Sequence, residues 1–259
     1  MIFRDSNSGE KLDVAGLNEI TVIVDRSETK LSESAINRWT PGQLGPPHKH
    51  EQKEQIFFII GGEGEVKIGN DVFPAKPGDL LFVPANVVHQ TINRGKNTLD
   101  YFLFNAFLSE DKEGHASFAE HVNVMKGTRL AQANAQSADV GSGKPLTSAN
   151  TRGRYFKNVS SLKFESSSGL SQSIILPRQQ TQRSEAAILH LPANGDVSFE
   201  TDAAHEHTVF VLSGSGTFSC KESTKEVSRG EIIFIAANSK LKIQTGQTDL
   251  NCLVLSSVI

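Results

Sequence analysis

Three histidines and one pair of adjacent polar residues are the groups in this sequence whose types and spacing favour metal binding. His48 and His50 lie one residue apart in the stretch 48-HKHEQKEQIFF-58, and an apolar run begins six residues after the second. On a β-strand, residues i and i+2 point to the same face, so the two imidazoles can bind one ion. Taken alone, this spacing is more often that of surface histidines. The metal interpretation therefore depends on residues further along the chain.

His89 lies downstream in the stretch 77-PGDLLFVPANVVH-89, at the end of a predicted strand and just past a turn. Gly62 and Gly64 follow the apolar run and predict a tight bend into a returning strand. The Pro-Gly-Asp sequence at the start of the second stretch predicts another turn. A barrel folded from these strands can bring His89 beside the first two histidines.

Short apolar runs, such as ITVIV at 20–24 and QIFFII at 55–60, recur along the chain and are bounded by Gly, Pro, Asn or Asp. This pattern, rich in β-branched and aromatic residues, predicts short antiparallel strands joined by turns. The fold class predicted from it is all-β.

Two segments interrupt the strand pattern. A short helix is predicted near 116–125, where Phe118, His121 and Val122 can share one face. Residues 131–153 are rich in Ser, Ala, Gly and Asn, and they predict a linker or a surface excursion. The strand pattern resumes after this segment.

The second half of the chain repeats the first at a constant offset of 152 residues without gaps. The matches fall at turn glycines and within strands, and they pair Phe58, Gly62, Gly64, Gly78, Phe82, Ala85 and Asn86 with Phe210, Gly214, Gly216, Gly230, Phe234, Ala237 and Asn238. A repeat of this kind predicts an internal duplication. We therefore expect two similar domains, residues 1–130 and 154–259, joined by a linker at 131–153.

The segment 42–93 resembles the two sequence motifs of the cupin superfamily. The first motif, G-x5-H-x-H-x(3 or 4)-E-x6-G, and the second, G-x5-P-x-G-x2-H-x3-N, are matched at Gly42, His48, His50, Gly78, Pro84, His89 and Asn93. Asn86 replaces a motif glycine, and asparagine tolerates the left-handed conformation that such a turn requires. With the duplication, the chain resembles a bicupin, with two cupin-type antiparallel β-barrels (double-stranded β-helix or jelly roll) in tandem. The resemblance implies a divalent transition metal ion (Fe, Mn, Ni, Zn or Cu) held in the first barrel by three histidines and usually one glutamate.

Two adjacent residues compete for the place of that glutamate. The x3 spacing selects Glu54 and ends at Gly61, whereas the x4 spacing selects Gln55 and ends at Gly62. A carboxylate is the better ligand for a hard cation, which favours Glu54. The glycine bend at 62–64 favours Gln55, and so does the presence of the same two glycines, Gly214 and Gly216, in the repeat. Because neighbours on a strand point to opposite faces, only one of the two enters the barrel, and we predict Gln55 with Glu54 as the alternative.

The second barrel lacks the histidine set. At the repeat offset the positions of His48, His50, Gln55 and His89 are occupied by Glu200, Asp202, His207 and Leu241. We predict a barrel that has lost its metal and supports packing, with weak cation binding by the one histidine and two carboxylates as the alternative. Cys220 and Cys252 lie in predicted strands and are expected to be reduced, buried thiols.

Other residues have plainer interpretations. His115 and His121 lie near the predicted helix without partners at metal spacing, so they are expected to be solvated or packed histidines. Either Arg38 or Trp39 must face the barrel interior, because they are neighbours on a strand. Arg38 in that position would favour an anionic substrate.

The resemblance implies a metal-dependent enzyme that acts on a small molecule, with a dioxygenase of the quercetin-dioxygenase-like kind as its leading form. A glutamine at the metal site removes a carboxylate that could act as general base, which argues against that particular chemistry. The alternatives are a metal-dependent isomerase, lyase or hydrolase, or a non-catalytic barrel that binds small molecules such as sugars.

Composition and charge narrow the class of partner. The net charge is −3 and charged residues make up 21% of the chain, so no strongly basic face for nucleic acid is predicted. No signal peptide and no apolar run long enough to span a bilayer are visible, which predicts a cytoplasmic protein. Two barrels in one chain predict a monomer or a homodimer.

Overall fold

The computed structural model describes residues 1–136, 153, 155–159, 165–167, 169–221 and 223–259. Most of the predicted linker, residues 137–152, lies outside the described residues. In chain order the strands are β1 (Ile2–Asp5), β2 (Glu10–Val14), β3 (Asn18–Val24), β4 (Ser32–Trp39), β5 (Lys53–Gly61), β6 (Gly64–Ile68), β7 (Asp71–Ala75), β8 (Asp79–Val83), β9 (His89–Ile92), β10 (Leu99–Phe107), β11 (Phe156–Asn158), β12 (Glu165–Ser167), β13 (Leu170–Leu176), β14 (Ser184–Leu191), β15 (Asp196–Glu200), β16 (His205–Ser213), β17 (Ser215–Cys220), β18 (Ser223–Ser228), β19 (Glu231–Ile235), β20 (Lys240–Thr245) and β21 (Leu250–Val258). Helix α1 spans Phe118–Gln136, and short 3₁₀ turns lie at Arg26–Glu28, Lys112–Gly114 and Arg178–Gln180.

The strands form two barrels of the same design, and the all-β prediction is confirmed. The large sheet of the first barrel has the order β11-β8-β5-β10-β4-β3-β2, and that of the second has the order β1-β19-β16-β21-β14-β13-β12. The first barrel is completed by the sheet β7-β6-β9 and the second by β15-β20-β17-β18. The two large sheets match strand for strand, as a duplicated sequence requires.

Each barrel takes one edge strand from the other half of the chain. β11 pairs with β8 of the first barrel, and β1 pairs with β19 of the second. The predicted domain boundaries stay a prediction, but the strand pairing crosses them at both of these places. Helix α1 also continues to Gln136, six residues beyond the predicted end of the first domain.

The two large sheets pack back to back, and alternation along β5 decides which residues face that contact. Ile56 and Phe58 belong to the apolar cluster shared by the two barrels. Phe57 and Ile59 belong to the core inside the first barrel. Across the contact the rings of Phe102 and Phe210 stack with centroids 5.0 Å apart. Because Gln55 has the parity of Phe57, the predicted register is the one that the structure adopts.

Glu54 has the opposite parity and joins the barrels to each other. Its carboxylate is 1% exposed. It accepts hydrogen bonds from the backbone N–H groups of Gln182, Arg183 and Ser184 at 2.7, 2.9 and 3.0 Å, and from the Ser184 hydroxyl at 2.7 Å. Three backbone donors that no strand partner satisfies are thereby bound by one carboxylate.

Glu206, the residue equivalent to Glu54, makes the reciprocal contact. It accepts from the backbone N–H groups of Lys30 and Leu31 at 3.0 and 2.9 Å and from the Ser32 hydroxyl at 2.6 Å. We name Glu54 and Glu206 the reciprocal glutamates. Each barrel inserts one carboxylate into the loop of the other that precedes its β4 or β14 strand, so the contact between barrels is specific as well as apolar.

The turns follow the residues that predicted them. Gly62 has φ +70°, and a Cβ there would lie 1.8 Å from the Thr98 carbonyl oxygen, so only glycine fits this bend. Asn86 has φ 64° and takes the left-handed position of the motif glycine, as predicted. The Asn86 backbone N–H donates to the His50 carbonyl at 2.7 Å, which ties this turn to the first histidine pair.

Helix α1 is longer than predicted and covers one end of the first barrel. Phe118 and Val122 pack into the core of that barrel, and the Phe118 backbone N–H donates to Asp25 Oδ2 at 2.8 Å at the start of the helix. Cys220 and Cys252 are free and buried, as expected. No helix among the described residues is long and apolar enough to cross a membrane.

Candidate metal centre

His48 and His89 are brought together by backbone pairing. They form an isolated antiparallel bridge in which each backbone N–H donates to the other residue's carbonyl, at 3.0 and 2.8 Å. His50 lies two residues after His48, and its ring centroid lies 5.0 Å from that of His48 and 5.5 Å from that of His89. One ring nitrogen from each of the three lies within 4.8 Å of the others. The three predicted histidines therefore meet at one point inside the first barrel.

Two of the three imidazoles are hydrogen-bonded through Nδ1, and the third has a carboxylate near its Nδ1. His48 Nδ1 lies 2.9 Å from the Pro46 carbonyl oxygen, and His89 Nδ1 lies 3.4 Å from the Val87 carbonyl oxygen. His50 Nδ1 lies 3.4 Å from Glu113 Oε1. Such partners fix the tautomer of metal-binding histidines, since they hold the proton on one nitrogen and leave the other as an acceptor. Nε2 is thus the nitrogen that each ring presents to an ion, although His48 Nε2 also faces Arg129 Nη2 at 3.5 Å.

Burial keeps these rings neutral. It is the main cause that lowers the pKa of His48 and of His50 well below the ordinary value, with smaller contributions from neighbouring charges. Burial also lowers the pKa of His89 to about 3. A neutral imidazole is the form that binds a metal ion. The site is therefore in its binding form at neutral pH.

Gln55 lies in the same cavity, and a chain of buried hydrogen bonds sets the direction of its amide. Arg26 donates to both carboxylate oxygens of Glu33, at 2.7 and 2.9 Å. Glu33 can only accept, so Asn105 donates to it through Nδ2 at 2.6 Å. The Asn105 oxygen then accepts from Gln55 Nε2 at 2.9 Å. Gln55 Oε1 is left buried and without a partner.

Two orphaned atoms fit a metal ion. His50 Nε2 and Gln55 Oε1 are both buried and without a hydrogen-bond partner, and both residues line one cavity with His48 and His89. A buried polar atom without a partner is costly, and a bound ion removes that cost. Glu54, the alternative fourth ligand, points away from this cavity into the contact between barrels. That Gln55 acts as the fourth ligand stays a prediction.

Glu113 and His121 lie beside the three histidines; the sequence predicted no role for Glu113 and a solvated or packed position for His121. Glu113 Oε2 accepts from Lys53 Nζ at 2.8 Å and lies 3.7 Å from His121 Nδ1. Burial is the largest single influence on Glu113 and raises its pKa, but the charge and hydrogen bond of Lys53, with the charges of His121 and Arg26, together lower the pKa overall. The predicted description of His121 as a packed histidine therefore omits its contact with an acidic partner. The Glu113 carboxylate thus lies next to the candidate metal centre, on the far side of the His50 ring.

Glu113 is held in an unusual backbone conformation. Its φ of 63° and ψ of 23° are left-handed, although it is not glycine. Such a conformation costs about 1 kcal/mol or more, and it persists where the surrounding structure requires it. His50, Glu113 and His121 also form a second group able to hold an ion. We favour the three-histidine group, because Lys53 already neutralises Glu113.

Arg129 brings a positive charge into the cavity from helix α1. Its Nη2 lies 3.5 Å from His48 Nε2, and its Nε is buried without a partner. Of the two neighbours Arg38 and Trp39, one of which had to face the interior, Arg38 points outward and contacts Thr21 and Asn7. Trp39 faces inward instead, where its Nε1 donates to the Tyr101 hydroxyl at 2.9 Å.

The spacing of the helix residues explains the position of Arg129. The residues of α1 that line the cavity are Phe118, His121, Val122, Met125 and Arg129. They follow the period of one helix face. With this helix in place the cavity has a volume of about 40 Å³. Since a water molecule needs roughly 10–15 Å³ on this measure, there is room for only a few ligand atoms.

The equivalent place in the second barrel is different, as the sequence predicted. Glu200 is paired with Lys240 at 2.7 Å, and Asp202 with His205 at 2.8 Å, and both carboxylates are exposed. Leu241, at the position of His89, is buried in the apolar core. Among the described residues of this barrel, no three ligating side chains come within 4.8 Å of one another. In the described part of the chain, the candidate metal-binding groups all lie in the first barrel.

Comparison with known proteins agrees with this architecture. The cupin domain family profile matches residues 36–104. An oxalate-binding protein from Thermotoga maritima is 33% identical over 61 residues, which are 24% of this chain and 50% of that protein. The other curated relatives are matched over 36% to 38% of their lengths, so the chain spans half or less of the curated relatives that it matches.

Solved structures match over nearly the whole chain. The Lactobacillus farciminis oxalate decarboxylase formate complex has a TM-score of 0.68 at 15% identity, covering 99% of this chain and 86% of that one. A Bacillus subtilis oxalate decarboxylase, described for its Mn(II) centers, has a TM-score of 0.66 at 12% identity, covering 98% and 76%. At these identities the match shows the fold.

Fold and site together define a two-barrel protein with a candidate histidine-lined metal centre in its first barrel. Residues 36–104 are a cupin domain, and the chain as a whole has the two-barrel fold of a bicupin.

Proposed function

We propose that this bicupin is a metal-dependent enzyme acting on a small molecule that carries a carboxylate. A divalent transition metal ion is held by His48, His50 and His89, with Gln55 as the fourth donor. The observation that carries the proposal is a set of buried atoms without hydrogen-bond partners in one cavity: His50 Nε2, His121 Nδ1, Gln55 Oε1 and Arg129 Nε. His50 Nε2 and Gln55 Oε1 suit a metal ion, and the guanidinium of Arg129 suits an anion.

The charge of the centre favours an anionic ligand. Three neutral imidazoles and an amide leave the charge of a divalent ion uncompensated, and Arg129 adds a further positive charge beside His48. Two cations in a buried site repel each other unless an anion lies between them. A carboxylate can bind the ion with one oxygen and the guanidinium with the other. The oxalate-related names of several relatives support this class of substrate.

The volume of the cavity favours a small substrate. About 40 Å³ accommodates an ion and a few ligand atoms while helix α1 is seated. A flavonol does not fit in this space, so the quercetin-dioxygenase-like form of the prediction requires α1 to move. A two- or three-carbon acid needs no such movement.

The residues around the ion have separable tasks. A bound divalent ion acts as a Lewis acid toward the oxygen atoms of the substrate. Arg129 orients the carboxylate, and Glu113 Oε1 faces His50 Nδ1 at 3.4 Å. Burial lowers the pKa of His121 to about 2, so this ring is neutral and only a weak base. Glu113 is thus the carboxylate beside the cavity that can take the general-base role that a glutamine at position 55 cannot.

The need for O₂ distinguishes a dioxygenase from the other possible reaction types. A dioxygenase-type oxidation consumes O₂, whereas a decarboxylation, isomerisation or hydrolysis of the same acid leaves the redox balance unchanged. Protein loaded first with Mn(II) and then with Fe(II), Ni, Zn or Cu is tested with oxalate and small 2-oxo and 2-hydroxy acids. Oxygen uptake matching substrate loss supports the dioxygenase form, and turnover under strict anaerobiosis contradicts it.

Arg129→Ala is expected to weaken carboxylate binding by roughly 10- to 100-fold, because a hydrogen bond between charged groups contributes about 1.5–3 kcal/mol. Binding of oxalate to the metal-loaded protein is measured by calorimetry. Lys126→Ala is the matched control, since Lys126 lies on the same helix but contacts Asp13 at 3.3 Å outside the cavity. Its effect is expected to be less than about twofold.

Two results contradict the proposal. If Arg129→Ala and Lys126→Ala weaken binding equally, the carboxylate is not bound at Arg129. If metal-depleted protein binds the acid as tightly as loaded protein, the histidines take no part in recognition. The barrel is then a non-catalytic binding module.

A further inference from the structure

The second barrel contains a large cavity that the metal centre does not use. Its volume is about 520 Å³, compared with about 40 Å³ for the cavity in the first barrel. Cavities that enclose a whole small molecule range from roughly 300 to 1,000 Å³. The predicted description of this barrel as a packing domain is therefore incomplete, because its interior is not filled.

The difference between the barrels has a structural cause. Helix α1 places five side chains in the first cavity, whereas the lining of the second comes from strands and turns and includes none from α1. The equivalent alanines on β4 and β14 show the result. Ala35 is fully buried, but Ala187 is half-buried and lines the open cavity.

The wall of the cavity is mainly apolar. Its apolar lining residues include Leu189, Phe199, Val209, Phe218, Ile243 and Val254. At the position of His89, Leu241 packs in the same apolar cluster. Loss of the metal ligands has thus left an apolar compartment, which favours an apolar occupant because burial of apolar surface is the main driving force for binding.

The charged residues that line the cavity already have partners within the protein. Glu200 is bound to Lys240, Asp202 to His205, and Arg178 donates to the Thr181 carbonyl at 2.7 Å. Glu185 lies 3.9 Å from His205 Nε2. Among the described residues of the lining, no charged side chain resembles Arg129 of the first barrel, whose buried Nε has no partner. A charged ligand would lose its hydration without gaining a counter-ion.

One polar pair faces into this apolar space. His207 Nδ1 lies 2.7 Å from the Ser256 hydroxyl, and both residues line the cavity. They occupy the strand positions that Gln55 and Asn105 occupy in the first barrel, where those residues pair on β5 and β10. Burial lowers the pKa of His207 to about 4, so the ring is neutral at physiological pH. A neutral ring can bind a hydroxyl or carbonyl group of a ligand.

We propose that the second barrel binds an uncharged, mainly apolar small molecule in this cavity, with the His207–Ser256 pair as its hydrogen-bonding anchor. The proposal does not depend on the function assigned to the metal centre. It predicts two chemically distinct compartments in one chain, one for a small anion on a metal ion and one for an apolar molecule.

The neutral fluorescent probe N-phenyl-1-naphthylamine tests the cavity in the full chain. Saturable binding of one probe per chain is expected. Ala187→Phe fills the space and is expected to weaken binding by about tenfold or more, with a smaller loss for Ala187→Leu, because added side-chain volume displaces the probe. Val124→Ser is the matched control for surface binding, since Val124 is an exposed apolar residue of α1 with 59% of its surface accessible.

The class of ligand is tested with matched pairs of probes. The anionic 1-anilinonaphthalene-8-sulfonate is expected to bind more weakly than the neutral probe. 1-Naphthol is expected to bind roughly three- to tenfold more tightly than naphthalene, as one hydrogen bond provides. His207→Leu is expected to remove that preference while retaining naphthalene binding.

Three results overturn the proposal. The first is unchanged probe affinity in Ala187→Phe with an unchanged circular dichroism spectrum. If that variant does not fold, unchanged affinity in folded Ala187→Leu has the same meaning. The second is tighter binding of the sulfonate than of the neutral probe, and the third is no saturable binding at all.

Discussion

Glu54→Gln is expected to lower the free energy of unfolding by about 3 kcal/mol and to leave metal binding intact. The Glu54 carboxylate accepts four hydrogen bonds from the loop Gln182–Ser184 of the other barrel. Glutamine keeps one acceptor oxygen but turns an NH₂ group toward groups that also donate. Buried donors then lose their acceptor, and the adjoining barrels lose part of their specific contact.

Denaturant unfolding of the metal-free protein measures this effect. Glu206→Gln is the matched variant, because Glu206 makes the reciprocal contact with Lys30, Leu31 and Ser32. We expect losses of similar size for the two variants. An unfolding midpoint unchanged in Glu54→Gln, together with lost metal, would show that Glu54 rather than Gln55 belongs to the metal centre.

His89→Ala is expected to lower the affinity for the metal ion by more than about 100-fold, since loss of an outer partner of a ligand alone costs about 10- to 100-fold. His89 contributes one of three imidazoles and is pinned opposite His48 by two backbone hydrogen bonds. The backbone pairing survives the substitution, so the loss is confined to the ligand. Gln55→Ala is expected to cost about tenfold, because an amide oxygen is a weaker ligand than imidazole for these ions.

Metal affinity is measured by competition with a chelator, and bound metal by elemental analysis after dialysis. His205→Ala is the control, since it removes a histidine of the second barrel that contacts Asp202. We expect the order of metal loss to be His89→Ala, then Gln55→Ala, then Glu54→Ala at wild-type level. Full metal occupancy in His89→Ala would place the ion at the neighbouring group of His50, Glu113 and His121.

The histidine site and the two barrels could be predicted because short stretches of sequence, such as the His-x-His pair and the turn residues, are enough to identify them. The His-x-His pair needs only the alternation of a strand, and the duplication selected the register that turns Gln55 inward. Gly62 and Asn86 indicated turns, because glycine and asparagine accept the left-handed backbone conformation that few other residues adopt. In each case a short segment and one physical rule were sufficient.

The remaining groups could not be predicted because packing between distant segments places them. Arg129 lies in a polar stretch beyond the predicted helix, and only the seating of α1 on the barrel brings its guanidinium to His48. Glu113 enters the site through a left-handed turn that its residue type does not suggest. The role of Glu54 depends on a loop 128 to 130 residues away in the chain.

The exchange of edge strands sets the order in which a ribosome-bound chain can complete its two barrels. Strand β11, which pairs with the outer edge of β8, is available once residues 156–158 have been synthesised. β1, at residues 2–5, must wait for its partner at residues 231–235. During that interval β1 has unpaired backbone groups that can associate with other chains. β1 is thus among the last of the described strands to be paired, and the first barrel can close before the second.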